Sequence, residues 1–521
     1  MTIASPAKLA LRDALDSMPS AARDRAQWLL SDSAGGAFPW YLAAPARRRR
    51  LAYLGVPGAG ALDGCRRFAS GALVTSDPDA ARLARSVLAE AGAAAFFVVA
   101  PEKGRVPLPD GSCDVVVAGP GSGALGVPLA SEALRLVAPG GVVIGDASRR
   151  CGLFAPAVPG EPLRPRLGLL PRAARLFPQE PGRRGPVALR GFPGLAPAPR
   201  PRGLRARLRE ALLARPALVR SLVATTDAAA TAIDALLEKY PPRAPRVEIS
   251  PTGLLAWFGP GVRVEVPVTL AAAERARRNA ERLLALAARS EALGPLAALA
   301  PRLADSGAIE GVEYCVEALR PGATLASRAD RLALAPRAID LLADFHVRTA
   351  RRVTLAGEPL ERLVRRPVLA LLGFGVAGDG VRRLADAAAR ALDGLSIPLV
   401  LAHGDFGPGN VLVDSANGVP TGVIDWDLSE DDAAPFADAA HFATRLASLP
   451  IDRFREAPGD LLARYAGALS LGGDGPVRDA LALTGFSRAR LAHLATDRPY
   501  DPAWVAAEVA APVARFLEAL R

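Results

Sequence analysis

The sequence predicts two folded parts in series, an α/β N-terminal domain on a parallel, doubly wound sheet and an α+β C-terminal domain. Between residues 51 and 192 short apolar runs alternate with helical patterns, which is the rhythm of strand–helix units in a parallel sheet. The stretch PGLAPAPRPRG at 193–203 then interrupts every regular period and reads as a linker. Beyond it lie a short cluster of strands, one long helix and a largely helical remainder. A chain of 521 residues also exceeds what one core ordinarily holds. The expected domains are therefore 1–192 and 204–521, joined by 193–203.

The elements follow in order. Residues 1–50 carry helical stretches that end in the run Arg47 to Arg50. Strands are expected in LAYLGVPG, ALVTSD, AAFFVVA, CDVVVAG and VVIGDA, with helices in AARLARSVLAEAG and PLASEALRLVA and a turn at PGG. After the linker the pattern gives helices to about Tyr240, strands in VEIS, LLAWFG and VRVEVPV, and a helix from about Leu270 to Ser290. No internal repeat is present.

Bulk properties exclude several classes. No uncharged apolar run reaches the length of a membrane span, and the first residues carry acids where a signal peptide needs an apolar stretch, so a cytoplasmic protein is expected. Cys65, Cys113, Cys151 and Cys315 lie far apart without metal-ligand spacing, which predicts buried thiols. The net charge of +11 comes almost wholly from arginine, with lysine only at positions 8, 103 and 239. Its clusters lack interleaved aromatics, so no nucleic-acid partner is expected.

Chemistry is concentrated in LAHGDFGPGNVLV at 401–413 and IDWD at 424–427. A strand runs into His403 and Asp405, Asn410 opens a second strand, a turn follows at DSANG, and GVID delivers Asp425 as the next strand ends. Such a hairpin brings Asn410 and Asp425 together beside Asp405. An amide oxygen and a carboxylate are hard ligands suited to Mg²⁺ with phosphate oxygens, and a separate Asp is placed to take or steer a hydroxyl proton.

HGDFGPGN followed by VIDWD resembles the catalytic segment of the aminoglycoside phosphotransferase and choline kinase superfamily. That resemblance implies a protein-kinase-like bilobal fold and an ATP- and Mg²⁺-dependent kinase acting on a small-molecule or carbohydrate hydroxyl. It implies Asp405 as catalytic base, His403 as support for the loop, Asn410 and Asp425 as metal ligands, and Asp438 in PFADAAHF as a scaffold residue. VEYCVEALRPGATL at 312–325 resembles the inter-lobe hinge, where the backbone of Glu317, Ala318 and Leu319 would meet adenine. LLADFHVRTA resembles the helix that ends in a Leu/Phe-His pair.

One departure stands out. Kinases of this fold carry a Lys on the third N-lobe strand, braced by a Glu, for the α and β phosphates. No Lys occurs after Lys239, and the following helix offers Asn279 where Glu is expected. On the matching strand VRVEVPV, side-chain alternation puts Arg263 and Glu265 on one face. Arg263 is thus either the phosphate ligand, braced by Glu265 or Glu281, or a solvated strand residue. Arg275 on the helix is expected to be solvated. Glu430, Asp431 and Asp432 either attract a cationic acceptor or cap the next helix.

Residues 51–146 resemble a class I S-adenosylmethionine-dependent methyltransferase with a Rossmann-like sheet. LGVPGAG, with Gly55 and Gly58, stands at the glycine loop, Asp77 ends the second strand as the ribose-binding acid would, and EALRLVAPGGVVIG matches a later strand with its PGG turn. Pro57 and Ala59 occupy glycine positions, and Pro removes an amide donor. Residues 151–192 are Pro- and Arg-rich where the family has its closing β-hairpin. A degenerate or truncated domain is expected, with S-adenosylmethionine binding left open. Three functions remain: a phosphotransferase with an accessory domain, a bifunctional methyltransferase–kinase of a surface polysaccharide, and a pseudokinase that binds without turnover.

Overall fold

The computed structural model describes residues 48–146 with short gaps, 188–192, 221–225, and most of 232–519. The predicted helices in 1–50, the 193–203 linker, Gly58, Pro57, Ala59 and Cys151 lie outside the described residues. The chain divides into two compact units. One holds residues up to Glu274 together with Asp305–Val316, and the other holds Arg275–Ala304 and Glu317 onward.

In the first unit the expected parallel sheet is present. Strands β1 (Arg50–Leu54), β2 (Ser70–Val74), β3 (Phe96–Val99), β4 (Cys113–Ala118) and β5 (Val137–Asp146) are joined by helices α1 (Pro78–Glu90) and α2 (Leu129–Leu136). Two further strands, β6 (Ala188–Phe192) and β7 (Ser221–Thr225), complete a seven-stranded sheet in the order β3-β2-β1-β4-β5-β7-β6. The central strands are largely apolar because both faces are covered, and Leu51, Leu54, Leu73, Val115 and Val116 are fully buried. Gly71 sits where a Cβ would lie 2.5 Å from the Leu51 carbonyl oxygen, so only Gly allows the β1–β2 approach.

Two expectations are corrected here. The PGG turn is absorbed into β5, where the β4–β5 register jumps from Cys113↔Val137 to Val115↔Val142 and the extra residues bulge out. The closing antiparallel pair, not expected in 151–192, is formed by β6 at the end of that stretch and by β7, which falls where helix was expected. Its SLVAT sequence has β-branched residues, but its pairing with β5 is a long-range contact that local periodicity does not report.

A second, five-stranded sheet has the order β11-β12-β10-β9-β8, formed by β8 (Glu248–Ile249), β9 (Leu254–Gly259), β10 (Val262–Pro267), β11 (Leu303–Ile309) and β12 (Val312–Ala318). β9 and β10 form an antiparallel hairpin across Pro260-Gly261, with Gly261 at φ +72°. Helix α3 (Ala232–Lys239) precedes this sheet. Its end is fastened to it by Asp305, whose Oδ2 accepts from Lys239 at 2.7 Å, Tyr240 at 2.5 Å and Tyr314 at 3.1 Å.

Helix α4 (Leu270–Ala288) leads into the second unit, a largely helical body with two small sheets. Its helices are α5 (Arg331–Thr349), α6 (Gly378–Leu392), α7 (Ala437–Leu446), α8 (Leu461–Ala468), α9 (Gly475–Thr496) and α10 (Ala511–Ala519). The sheets are β13 (Ala323–Thr324), β16 (Val411–Val413) and β17 (Pro420–Val423), and β14 (Arg351–Thr354), β15 (Ser396–Ala402) and β18 (Glu430–Ala433). Helix α6 shows how sequence makes this core: Val381, Leu384, Ala385, Ala388 and Leu392 recur at helical spacing and are all fully buried. The aromatics Phe406, Trp426, Phe436, Phe442 and Tyr465 join the same core, directly beneath the HGD loop. Among the described residues no helix is long and apolar enough to cross a membrane, and Cys65, Cys113 and Cys315 are buried free thiols.

Candidate functional site

β15 is a buried strand, and the loop His403-Gly404-Asp405 begins where it ends. His403 is wholly inside, stacked 4.5 Å from Trp426 and edge-on to Phe406. Its Nδ1 accepts from the Asp405 amide at 3.3 Å, so its Nε2 donates to the Ile424 carbonyl at 3.1 Å. Burial pushes its pKa down, which keeps the ring neutral in this arrangement. His403 therefore ties the loop to the end of β17 and does not face a substrate. Gly404 turns the chain at φ +85°, and a Cβ there would lie 2.1 Å from the Leu428 carbonyl oxygen.

Helix α7 holds the loop from the other side. Buried Asp438 accepts the backbone N–H of His403 at 2.7 Å and of Gly404 at 3.0 Å. Burial works against its ionisation, yet neighbouring His346 and His403 and the donated amide hold its pKa below the usual carboxylate range. Behind Asp438 the Nε2 of His346 is 3.6 Å away, and the Nδ1 of His346 lies 2.7 Å from the Tyr465 hydroxyl. That hydroxyl also accepts from the Phe436 amide at 3.3 Å. The Phe-His pair of the α5 sequence is thus part of the scaffold under the loop.

Asp405 is the exposed end of this arrangement. Asn410 Nδ2 donates to its Oδ2 at 3.1 Å and to its backbone oxygen at 2.9 Å, and His441 Nε2 lies 3.0 Å from its Oδ1. β16 and β17 pair in the expected hairpin, Val411 opposite Val423, and the Ile424 amide donates to the Asn410 carbonyl. Asp425 is the next residue beyond that pair and has φ +70°, a conformation that Asp tolerates better than most residues and that often marks functional sites. Since the amide nitrogen of Asn410 is committed to Asp405, its oxygen is the atom available to a cation. An amide oxygen and a carboxylate such as that of Asp425 are hard donors of the kind Mg²⁺ takes. Among the described residues no three His, Cys, Asp or Glu side chains could hold a metal by themselves. Phosphate oxygens would have to complete such a shell.

The sheet-borne candidates form a second group. Arg263 Nη1 pairs with buried Glu265 at 2.7 Å, so the two share a face and Glu265 is the brace. Glu281 instead pairs with Arg277 at 2.5 Å. Asn279 Nδ2 donates to Glu317 Oε1 at 2.5 Å, both side chains being buried. The helix position expected to hold Glu therefore reaches the hinge carboxylate. In the hinge the Ala318 amide is already donated to the Arg302 carbonyl at 2.9 Å, which commits one of the groups expected near adenine; Leu319 follows β12 directly. Two readings fail. Arg275 is not a solvated control residue but an ion-pair partner of buried Asp427. The acidic run is strand β18, not a helix cap, and each acid already has an arginine: Glu430 with Arg488, Asp431 with Arg282 at 2.8 Å, and Asp432 with Arg351 at 2.9 Å.

In the N-terminal sheet Gly55 ends β1 at φ +129° and donates to the Val74 carbonyl at 2.8 Å. Asp77 follows β2 as expected, but its Oδ1 accepts the amides of Asp79 at 3.0 Å and Ala80 at 3.1 Å, which makes it the N-cap of α1. Sequence reasoning missed His441, although its spacing from Asp438, three residues along one helix, places both on the same face.

Residues 262–483 match the model of the phosphotransferase enzyme family. Among solved structures the chain is similar to an aminoglycoside-3'-phosphotransferase of type VIII, at 20% identity and TM-score 0.33 over 49% of this chain and 96% of that one. It is similar to the choline kinase LicA from Streptococcus pneumoniae at 11% identity and TM-score 0.34 over 51% and 89%. A co-crystal structure of WbdD and the kinase inhibitor LY294002 aligns at 13% identity and TM-score 0.23 over 85% and 83%. No curated protein matches the chain.

Proposed function

We propose that the C-terminal domain transfers the γ-phosphoryl group of ATP to a hydroxyl of a small molecule or glycan. The observation that supports this reading is Asp405, part-exposed at the end of a buried, multiply tied loop and hydrogen-bonded by Asn410, with Asp425 just beyond the β16–β17 hairpin. As the acceptor oxygen bonds to the γ-phosphorus and the bond to the β–γ bridging oxygen breaks, Asp405 takes the hydroxyl proton. Asn410 and Asp425 would hold Mg²⁺, which supplies charge neutralisation at the phosphates. His403 and Asp438 keep the loop in register, and Arg263, braced by Glu265, takes the phosphate role of the missing Lys. Glu317 and Leu319 supply the remaining hinge backbone for adenine. The domain boundary we propose lies after β7, because β6 and β7, which flank 193–203 in the sequence, pair within the one N-terminal sheet.

The test is consumption of Mg·ATP by the purified protein against a panel of sugars, amino sugars and amino alcohols, for wild type and Asp405→Asn. Turnover in wild type that is lost in the variant, with nucleotide binding retained, is the expected result. Equal turnover in both would remove Asp405 from the chemistry, and nucleotide binding without turnover on any acceptor would favour a pseudokinase. The β6–β7 pair that closes the N-terminal sheet supports a second, bifunctional reading, in which that sheet is a methyltransferase-like domain acting on the same acceptor.

A further inference from the structure

We propose that His441 is the positioning residue that fixes the orientation of Asp405, an inference that rests on the phosphoryl-transfer reading above. An aspartate carboxylate turns easily about its last torsion, which is broad and nearly two-fold. One partner leaves that rotation open, whereas partners on both oxygens set the plane. Asp405 has both: Asn410 Nδ2 on Oδ2 at 3.1 Å and His441 Nε2 on Oδ1 at 3.0 Å. An ionised carboxylate only accepts, so His441 donates from Nε2 and takes no proton there. Its role is to aim the carboxylate's remaining lone pairs at the acceptor hydroxyl.

Helix α7 is built to hold that aim. Phe436 turns the chain into the helix at φ +83°, Asp438 takes two loop amides, and His441 reaches Asp405 from the same helix face. One rigid element thus grips residues 403, 404 and 405 together. Phe442 packs 5.4 Å from Phe406, locking helix to loop on the core side. The side chains of His441 and Asp405 are 19% and 29% exposed, so the pair lies on the accessible side of this clamp.

The experiment compares His441→Phe and His441→Gln with wild type and Asp405→Asn in the full chain. His441→Phe keeps the volume without the donor and should lower kcat by roughly 10- to 100-fold, as loss of reactive geometry does. The KM for ATP and the Tm should stay unchanged. His441→Gln offers an amide donor and should recover part of kcat. Independently of turnover, the imidazole NMR resonance of His441, assigned by its loss in His441→Gln, should shift in Asp405→Asn. The inference is overturned if that resonance ignores the Asp405 change, or if His441→Phe keeps wild-type kcat while Asp405→Asn is inactive; in either case Asp405 keeps its role. An active Asp405→Asn removes Asp405 from the chemistry, and this inference with it, whereas a wild type that turns over no acceptor removes the phosphoryl-transfer reading itself.

Discussion

Arg263 stands on the strand where a lysine was expected, and its pairing with Glu265 decides how that substitution is to be tested. A guanidinium can hold phosphate oxygens through two parallel hydrogen bonds while its remaining N–H groups keep the brace. Arg263→Ala should weaken Mg·ATP binding about tenfold or more, since a charge-assisted hydrogen bond contributes roughly 1.5–3 kcal/mol, and Arg263→Lys should restore part of it. The matched control is Arg277→Ala, an exposed partner of Glu281 on α4. Arg275 cannot serve, because its loss would strand the buried Asp427 carboxylate. Calorimetric titration with Mg·ATP checks the pair, and equal, negligible effects would leave Arg263 without a phosphate role. Alternation along VRVEVPV was enough to put Arg263 and Glu265 on one face. Nothing local told which acid braces the arginine, since Glu265 and Glu281 had equal standing until the fold paired one of them with Arg277.

Among the elements, the end of α3 is fastened through the Asp305 carboxylate. Lys239 and then Tyr240 hydrogen-bond Asp305 and pull its pKa down to about 2. An unfolded Asp titrates near pH 3.9, so this carboxylate contributes stability that is present above that pH and is lost as pH falls toward 2. Asp305→Asn should therefore flatten the acid limb of a pH–stability curve between about pH 4 and 2. An unchanged limb would mean that other acids govern it. The pair is largely exposed, so the effect is modest and screened by salt. Elements with strong periodicity, such as α4 and the strands β3 and β4, were legible within a residue or two, whereas β5 starts five residues earlier than expected. β7 and β18 were not, because each is a short segment whose strand character comes from a partner far away in sequence.

At the scale of the molecule the open question is whether the N-terminal sheet binds a nucleoside ligand. Asp77 caps α1 with one oxygen, so Asp77→Ala would mix two effects, costing about 1 kcal/mol of cap stability besides any ligand contact. Asp77→Asn keeps a capping oxygen and removes the charge. With Pro57 and Ala59 in the glycine loop, S-adenosylmethionine binding should be weak or absent by calorimetry; tight binding in wild type that Asp77→Asn abolishes would favour the bifunctional reading. The sequence by itself determined the two-part order, the parallel sheet and the hairpin that follows Asn410, because hydrophobic period and motif spacing are local properties that the chain states directly. Tertiary structure alone decided what those residues touch. It closed the sheet with β6 and β7, gave Glu430, Asp431 and Asp432 their arginines, and set His441 against Asp405. Each of these depends on which distant segments meet in space, and a side chain's partners are fixed only when the backbone brings them within a few ångströms.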